Sequence, residues 1–343
     1  MIMINNLYLN LLLVLIVSVT YCSCNLPVSS SCPQNEALVR PCRCEYGIII
    51  CHDQTGVRIK EMFAHLSNQL EYINRHIHMV QISGIAITQL PDNVFSDITV
   101  NEIVIRDAPK LRTISDTAFK GTKLFTKRLV IHNCPQLQVD TLWTLINKLR
   151  EVSSMKLCEL ENLREIPTLA FKELNKLRQL LICGPSVRTL HEKAFFKLTS
   201  LARLDIVNTG LTRLHDNSFV FEHPSRHMLT IGLFDNRQLT AEGLSAHTFA
   251  HMGRPVSLDF SGYNFESVHY RRQMPVIHEH VFRPFFKAHE LNDINLYGQE
   301  FECQNCKNVW LKKEVSLHEK LLGLRCIIQS RQLMDVLNFK SCQ

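Results

Sequence analysis

Short segments of alternating apolar and polar residues recur along this chain. They read MVQISGIAI, EIVIRDAPKL, RLVIHNCPQL, SMKLCELENL, QLLICGPSV, RLDIVNTGL, TIGLFDNRQL, SLDFSGYNF and DINLYGQEF. A period of two predicts β-strands whose alternate side chains point to opposite faces. The second strand apolar residue falls at Ile82, Ile105, Ile131, Leu157, Ile182, Ile206, Leu233, Phe260 and Leu296. The first six intervals are 23, 26, 26, 25, 24 and 27 residues, and the last two are 27 and 36. A strand returning at such a fixed spacing predicts a solenoid of stacked units, with an insertion near its end. A second element repeats in phase and closes on an aromatic: Phe95, Phe119, Trp143, Phe171, Phe195, Phe219, Phe249 and Phe282. One aromatic per turn predicts a stacked spine behind the sheet. Each unit has one apolar face and nowhere to bury it alone, so stacking is what builds the core.

Composition then locates the chain. Of 343 residues, 45% are hydrophobic and 20% charged, which is enough material for a sizeable core. The net charge of +6 is spread without a basic stripe, so nucleic acid is not the expected partner. Leu7 to Val19 is almost wholly apolar, small or polar residues follow, and Pro27 closes the run. The run is too short to span a bilayer comfortably and reads as the core of a secretory signal peptide over residues 1–24. No transmembrane segment is expected after its removal.

The 13 cysteines sharpen that picture. Cys22 and Cys24 leave with the signal. Cys32, Cys42, Cys44 and Cys51 precede the repeats, and Cys303, Cys306, Cys326 and Cys342 follow them. Two groups of four in a secreted chain read as two disulfide knots. Zinc at Cys303-x-x-Cys306 is the rival reading, weakened by single downstream cysteines and an oxidising compartment. Cys158 and Cys183 take the same outward position on successive strands, where the spacing of about 4.8 Å between strands suits a further disulfide. Cys134 reads as a buried apolar residue.

These features resemble extracellular leucine-rich-repeat proteins with cysteine-rich flanks. PCRCEYGIIIC looks like the N-terminal flank, and ECQNCKNVWLKKEV with Cys326 and Cys342 looks like the C-terminal one, Trp310-Leu311 matching its tryptophan-leucine. More narrowly, the chain resembles an arthropod group similar to the non-catalytic subunit of a secreted crustacean luciferase (luciferin monooxygenase). The resemblance implies an α/β solenoid: a leucine-rich-repeat horseshoe with a parallel concave β-sheet and disulfide-bonded caps. It further implies the pairs Cys32–Cys44, Cys42–Cys51, Cys303–Cys326 and Cys306–Cys342. The C-terminal cap departs from the family in having two residues between its first two cysteines, and the first N-terminal spacing is long. The expected organisation is a cap and first irregular repeat over 25–76, eight to nine repeats over 77–298, and a C-terminal cap over 299–343. The family repeat places Asn or Cys three residues after the second strand apolar, to satisfy buried backbone groups. Only Asn236 and Cys134 do so here, against Ile85, Ala108, Leu160, Pro185, Thr209, Tyr263 and Gln299. Those backbone groups then need another partner, for which water is one choice.

The family's ligand surface is the concave face, and strand register supplies its residues. Arg106, Asp107, Arg128, His132, Lys156 and Glu159 lie in the early repeats. Arg203, Asp205, Asn208, Phe234, Asp235, Asp259, Asp293 and Tyr297 lie in the later ones. Bases lean to one end and aspartates to the other, with Val130, Leu181, Val207 and Phe234 between, a pattern that suits a polar-rimmed protein interface.

Catalytic chemistry finds little purchase. No nucleophile elbow, phosphate-binding glycine loop or His-Glu-x-x-His occurs. His278 and His280 would share a face if their segment were extended, but it lies inside the recurring aromatic motif and no third ligand can be named. Glu159, Glu161 and Glu165 read as solvated acids. The expectation is a secreted, non-enzymatic binding protein without a cofactor. Its partner is an extracellular protein or glycan. The alternative is a stabilising, non-catalytic subunit of a secreted enzyme.

Overall fold

The computed structural model describes residues 32–33, 35–71, 74–223, 225–261, 276–297, 300–302 and 305–326. The signal peptide reading over 1–24 falls outside them, as do Cys303 and Cys342.

Among the described residues, twelve strands form one sheet in sequence order. They are β1 (Arg43–Glu45), β2 (Ile48–His52), β3 (His76–Ser83), β4 (Thr99–Arg106), β5 (Arg128–His132), β6 (Ser154–Cys158), β7 (Gln179–Gly184), β8 (Arg203–Thr209), β9 (Leu229–Gly232), β10 (Val256–Asp259), β11 (Asp293–Asn295) and β12 (Leu321–Leu322). Only β1 and β2 run antiparallel among them. From β2 on, every pairing is parallel, and the predicted apolar positions align: Ile82 beside Ile105, Ile105 beside Ile131, Leu157 beside Ile182. The fold is a leucine-rich-repeat solenoid with a parallel sheet along one side.

Inward strand residues, from Ile49 and Val80 through Leu180 and Leu204 to Ile294, are wholly buried. Behind them runs the aromatic spine. Phe95 stacks on Phe119 at 5.6 Å, and Phe171, Phe195 and Phe219 follow at 5.9 Å each. Phe249 lies 5.6 Å from Phe219 and 6.3 Å from Phe282. Parallel rings offset by one turn fill the space between repeats and satisfy the preference for offset stacking. Trp143 departs from the series. It sits half-buried on helix α2 (Leu142–Asn147) and meets Phe171 edge-on at 5.5 Å.

The spine begins earlier than the strand pattern predicts. Helix α1 (Gly56–Gln69) buries Ile59, Met62, Phe63 and Leu66 at helical spacing, and Phe63 meets Phe95 at 4.9 Å. Thr55 caps it, its hydroxyl accepting from the Arg58 amide. Near the other end, helix α3 (Glu279–Ala288) buries Phe282, Phe285 and Phe286.

Backbone ladders satisfy part of what the missing asparagines leave. The Gly84 amide donates to Asp107 O at 3.0 Å, Asp107 to His132 O at 3.1 Å, Asn133 to Cys158 O at 3.0 Å and Glu159 to Cys183 O at 2.9 Å. These amides are satisfied by backbone carbonyls of the next turn, while at Ile85, a position without asparagine, the amide donates to Asp53 Oδ1 at 2.6 Å. In its turn Asn236 adds side-chain bonds. Its Nδ2 donates to Ile206 O and Leu233 O at 2.8 Å each, while its Oδ1 accepts from the Thr209 amide at 3.0 Å.

Candidate functional site

Three outward rows build the concave face. The first runs Met79, Glu102, Arg128, Ser154, Gln179, Arg203, Thr230 and Ser257 to Asp293. The second runs Val104, Val130, Lys156, Leu181, Asp205, Gly232, Asp259 and Asn295. The third carries Arg106, His132, Cys158, Cys183 and Val207.

In the N-terminal half most charges are paired across strands. Arg128 meets Glu102 at 3.4 Å, with His78 on the other side of that carboxylate at 3.9 Å. His132 faces Glu159 at 3.3 Å, and Arg106 faces Asp107 at 3.9 Å. Lys156 has no ion-pair partner among the described residues. Glu102 was not among the predicted residues, although period-two alternation continued two residues upstream of Val104 would have found it.

The C-terminal half gathers carboxylates around one cation. Arg203 Nε donates to Asp205 at 2.7 Å, and its other end lies 3.6 Å from Asp259. Asp259 also accepts from the Ser261 amide at 3.0 Å, and Asp293 accepts from the Ser257 hydroxyl. Burial pushes the Asp205 carboxyl above the ordinary carboxylate range, with Arg203 opposing and Asp259 adding to the rise. Burial likewise raises Asp293, against the Ser257 hydrogen bond and with Asp259 reinforcing it. One Arg203 nitrogen and one Asp205 oxygen are buried without a hydrogen-bond partner among the described residues.

Several predicted residues prove not to present themselves to a ligand. Phe234 is 1% exposed. Strand β9 stops at Gly232, and the Phe234 ring folds back to within 2.9 Å of where a Gly232 Cβ would stand. Val130 and Val207 are buried as well, so the apolar middle narrows to half-buried Leu181. Asp235 lies beyond the strand at φ 57, its carboxylate held by Arg237 at 3.0 Å. Although Asp107 and Glu159 still reach Arg106 and His132, Asp107, Glu159 and Asn208 are likewise left-handed, at φ 50, 55 and 50. They belong to a column of left-handed residues two positions after the second strand apolar, together with Asp53, Gly84, Asn133 and Gly184. A left-handed residue ends the alternation, so period two cannot be carried past it. Asp205 and Asp259 stay on the face but are largely buried. Tyr297 remains exposed at the C-terminal end, its ring resting on Gly323.

The structure also contains the pairs Cys32–Cys44, Cys42–Cys51 and Cys158–Cys183, the last with a Cα separation of 4.5 Å. Cys306 is disulfide-bonded. Cys326 lies on a two-residue strand beside Phe301. Cys134 is a buried free thiol, pushed up to about 11 by burial. His278 and His280 do not share an extended face, because the chain turns helical at Glu279 and their rings meet edge-on. No cluster of three metal-ligating side chains occurs among the described residues. Glu165 pairs with His191 at 3.0 Å, away from Glu159, and Glu161 stands exposed. No helix among the described residues is long and apolar enough to cross a membrane.

A family comparison agrees with this architecture. Residues 51–139 and 147–230 match the BspA type leucine rich repeat region in six copies. Among solved structures, human 5T4 (Wnt-activated inhibitory factor 1, trophoblast glycoprotein) is similar over 89% of this chain and 97% of its own, at 15% identity and a TM-score of 0.46. TLR13, from its complex with ssRNA13, is similar over 81% of this chain and 57% of its own, at 12% identity and a TM-score of 0.33. No curated protein sequence matches the chain.

Proposed function

Because the chain belongs to the BspA type leucine-rich-repeat family, we propose that it is a secreted, non-enzymatic protein that receives an extracellular protein partner on its concave face. The observation that carries this reading is the face itself. It is a broad parallel sheet with Arg106, Arg128, His132 and Lys156 toward one end and Asp205, Asp259 and Asp293 toward the other. Asp107, Glu102 and Glu159 pair with the first three of these bases, so Lys156 and the acidic end carry the asymmetry, and uneven charge of this kind fixes the orientation of a partner. Secretion is supported by the disulfides, which persist in oxidising compartments. On this reading residues 1–24 are removed, 25–76 and 299–343 cap the solenoid, and 77–298 carry the binding repeats. Cys303–Cys326 and Cys306–Cys342 close the second cap.

Affinity capture of the tagged mature chain from its native extracellular fluid tests the proposal, run beside the double variant Arg106→Glu/Lys156→Glu. A protein retained by the wild type and lost by the variant is the expected result. Recovery of one enzyme chain at one-to-one stoichiometry would make the protein the non-catalytic subunit that its resemblance to the crustacean luciferase complex implies. Equal retention by both baits would reject the concave face as the site.

A further inference from the structure

On the convex side, one stretch of surface exposes apolar side chains that the core does not use. Leu124 is 60% exposed and Phe125 45%. Leu124 borders a cleft of about 730 Å³ lined also by Lys123, Trp143, Arg150, Leu169 and Lys172. An adjoining smaller cleft shares Lys123 and Lys148 with it and adds Lys120.

Leu169 is the telling residue. It stands at φ 56, two positions before the spine residue Phe171. The same position in three other repeats is also left-handed, and there it is Asn93, Lys193 or Asn217. Asparagine tolerates this conformation, whereas leucine loses roughly 1 kcal/mol in it. Burial of the rest of the side chain offsets that cost, but Leu169 still leaves 37% of its surface exposed. Together with Leu124 and the Trp143 ring on the same cleft, it forms a contiguous exposed apolar patch of the kind that marks an interaction site.

The rim supplies the charge of the occupant. Five cations, Lys120, Lys123, Lys148, Arg150 and Lys172, surround the two clefts, against the carboxylates Asp116 and Glu173. Lys148 is held by Asp116 at 2.6 Å and Arg150 by Glu173 at 3.1 Å. The other three have no ion-pair partner among the described residues.

We propose that this convex cleft docks an acidic polypeptide segment bearing apolar side chains, independently of the concave ligand. Apolar residues of the segment cover Leu124, Leu169 and the Trp143 ring, and its carboxylates meet the free lysines. Such an arrangement has a desolvated anchor at its centre and charge at its rim. A sulfated polysaccharide would satisfy the lysines and leave the leucines with nothing to bury.

The test uses the full mature chain and a soluble library of short peptides with Asp or Glu at alternate positions and random apolar residues between. Two control libraries replace the acids by amides or the apolar residues by Gly and Ser, and a heparin-derived oligosaccharide is a third probe. The expected result is selection of acidic-apolar peptides over both controls. Lys123→Glu/Lys172→Glu should weaken a selected peptide by about tenfold or more, and Leu124→Ser by about fivefold. Lys156→Glu on the concave face should leave binding unchanged, and matched thermal melts show that each variant folds. The proposal is overturned if no acidic-apolar peptide exceeds the amide control. It is equally overturned if the Gly/Ser peptides bind as well, if the convex variants bind normally, or if only the oligosaccharide binds.

Discussion

At Gly232 the concave face has no side chain, and two neighbours occupy the space. A Cβ there would stand 2.3 Å from Asp205 Oδ1 and 2.9 Å from the Phe234 ring. Gly232→Ala should therefore cost about 1–3 kcal/mol through overpacking, read as a lower urea midpoint, and an unchanged midpoint would mean that the ring moves freely aside. Glu151 gives a second test. It bridges Lys127 and Lys176, whose hydrogen bonds hold its carboxyl down to about 2. The folded chain then binds fewer protons than the unfolded one, so the contribution is full above the ordinary value of 4.5 and is lost as pH falls toward 2. Carboxyl NMR should show Glu151 titrating near pH 2, and Glu151→Gln should lose stability less steeply across that window. A midpoint near 4.5 would show that the bridges do not hold in solution. Residue-level reading of the sequence was half successful. Asp, Asn or Gly fills seven of the eight positions in the left-handed column after the strands, Glu159 being the exception. That is a visible signal, but an aspartate after a strand also fits one more outward position, and alternation alone cannot tell the two apart.

At the element scale, strands and spine were legible because each recurs in register, and repetition averages out local ambiguity. Helix α1 was equally legible in principle, with Ile59, Met62, Phe63 and Leu66 at helical spacing. A search for a strand period passes over it. The backbone ladder was not legible, because it depends on the geometry between turns and not on any residue type. Where a side chain replaces the ladder, the dependence should be sharp. Asn236→Ala leaves the Thr209 amide and the Ile206 and Leu233 carbonyls without their partner. A loss on the order of 3 kcal/mol is expected from stranding buried backbone groups, measured by chemical denaturation; a loss below a few tenths would mean that water replaces the side chain. The Cys158–Cys183 bond joins residues 25 apart on neighbouring strands. Cys158→Ser/Cys183→Ser should cost up to about 3 kcal/mol from released chain entropy, and a denaturation midpoint equal to that of the parent would show that the bond adds nothing.

Across the whole molecule, stability and recognition follow from one-dimensional stacking. Each repeat contacts its neighbours, and the ordered series of strands presents a graded row of side chains that no single repeat could. The gradient was visible in the sequence. Its sharpness was not, because register alone does not reveal that Phe234 folds over Gly232 or that Asp205 and Asp259 are largely buried beside Arg203. The convex cleft escaped sequence reading entirely, since Leu124, Trp143 and Leu169 meet only when three turns are stacked. The most direct test of a concave binding face is hydroxyl-radical footprinting of the chain with and without the partner recovered on the concave-dependent bait. Protection of Leu181, His132 and Tyr297, with Phe125 and Trp143 reacting as in the free chain, is the predicted result. Protection of Phe125 and Trp143 with Leu181 and Tyr297 still reactive would contradict the account and move its principal ligand to the convex side.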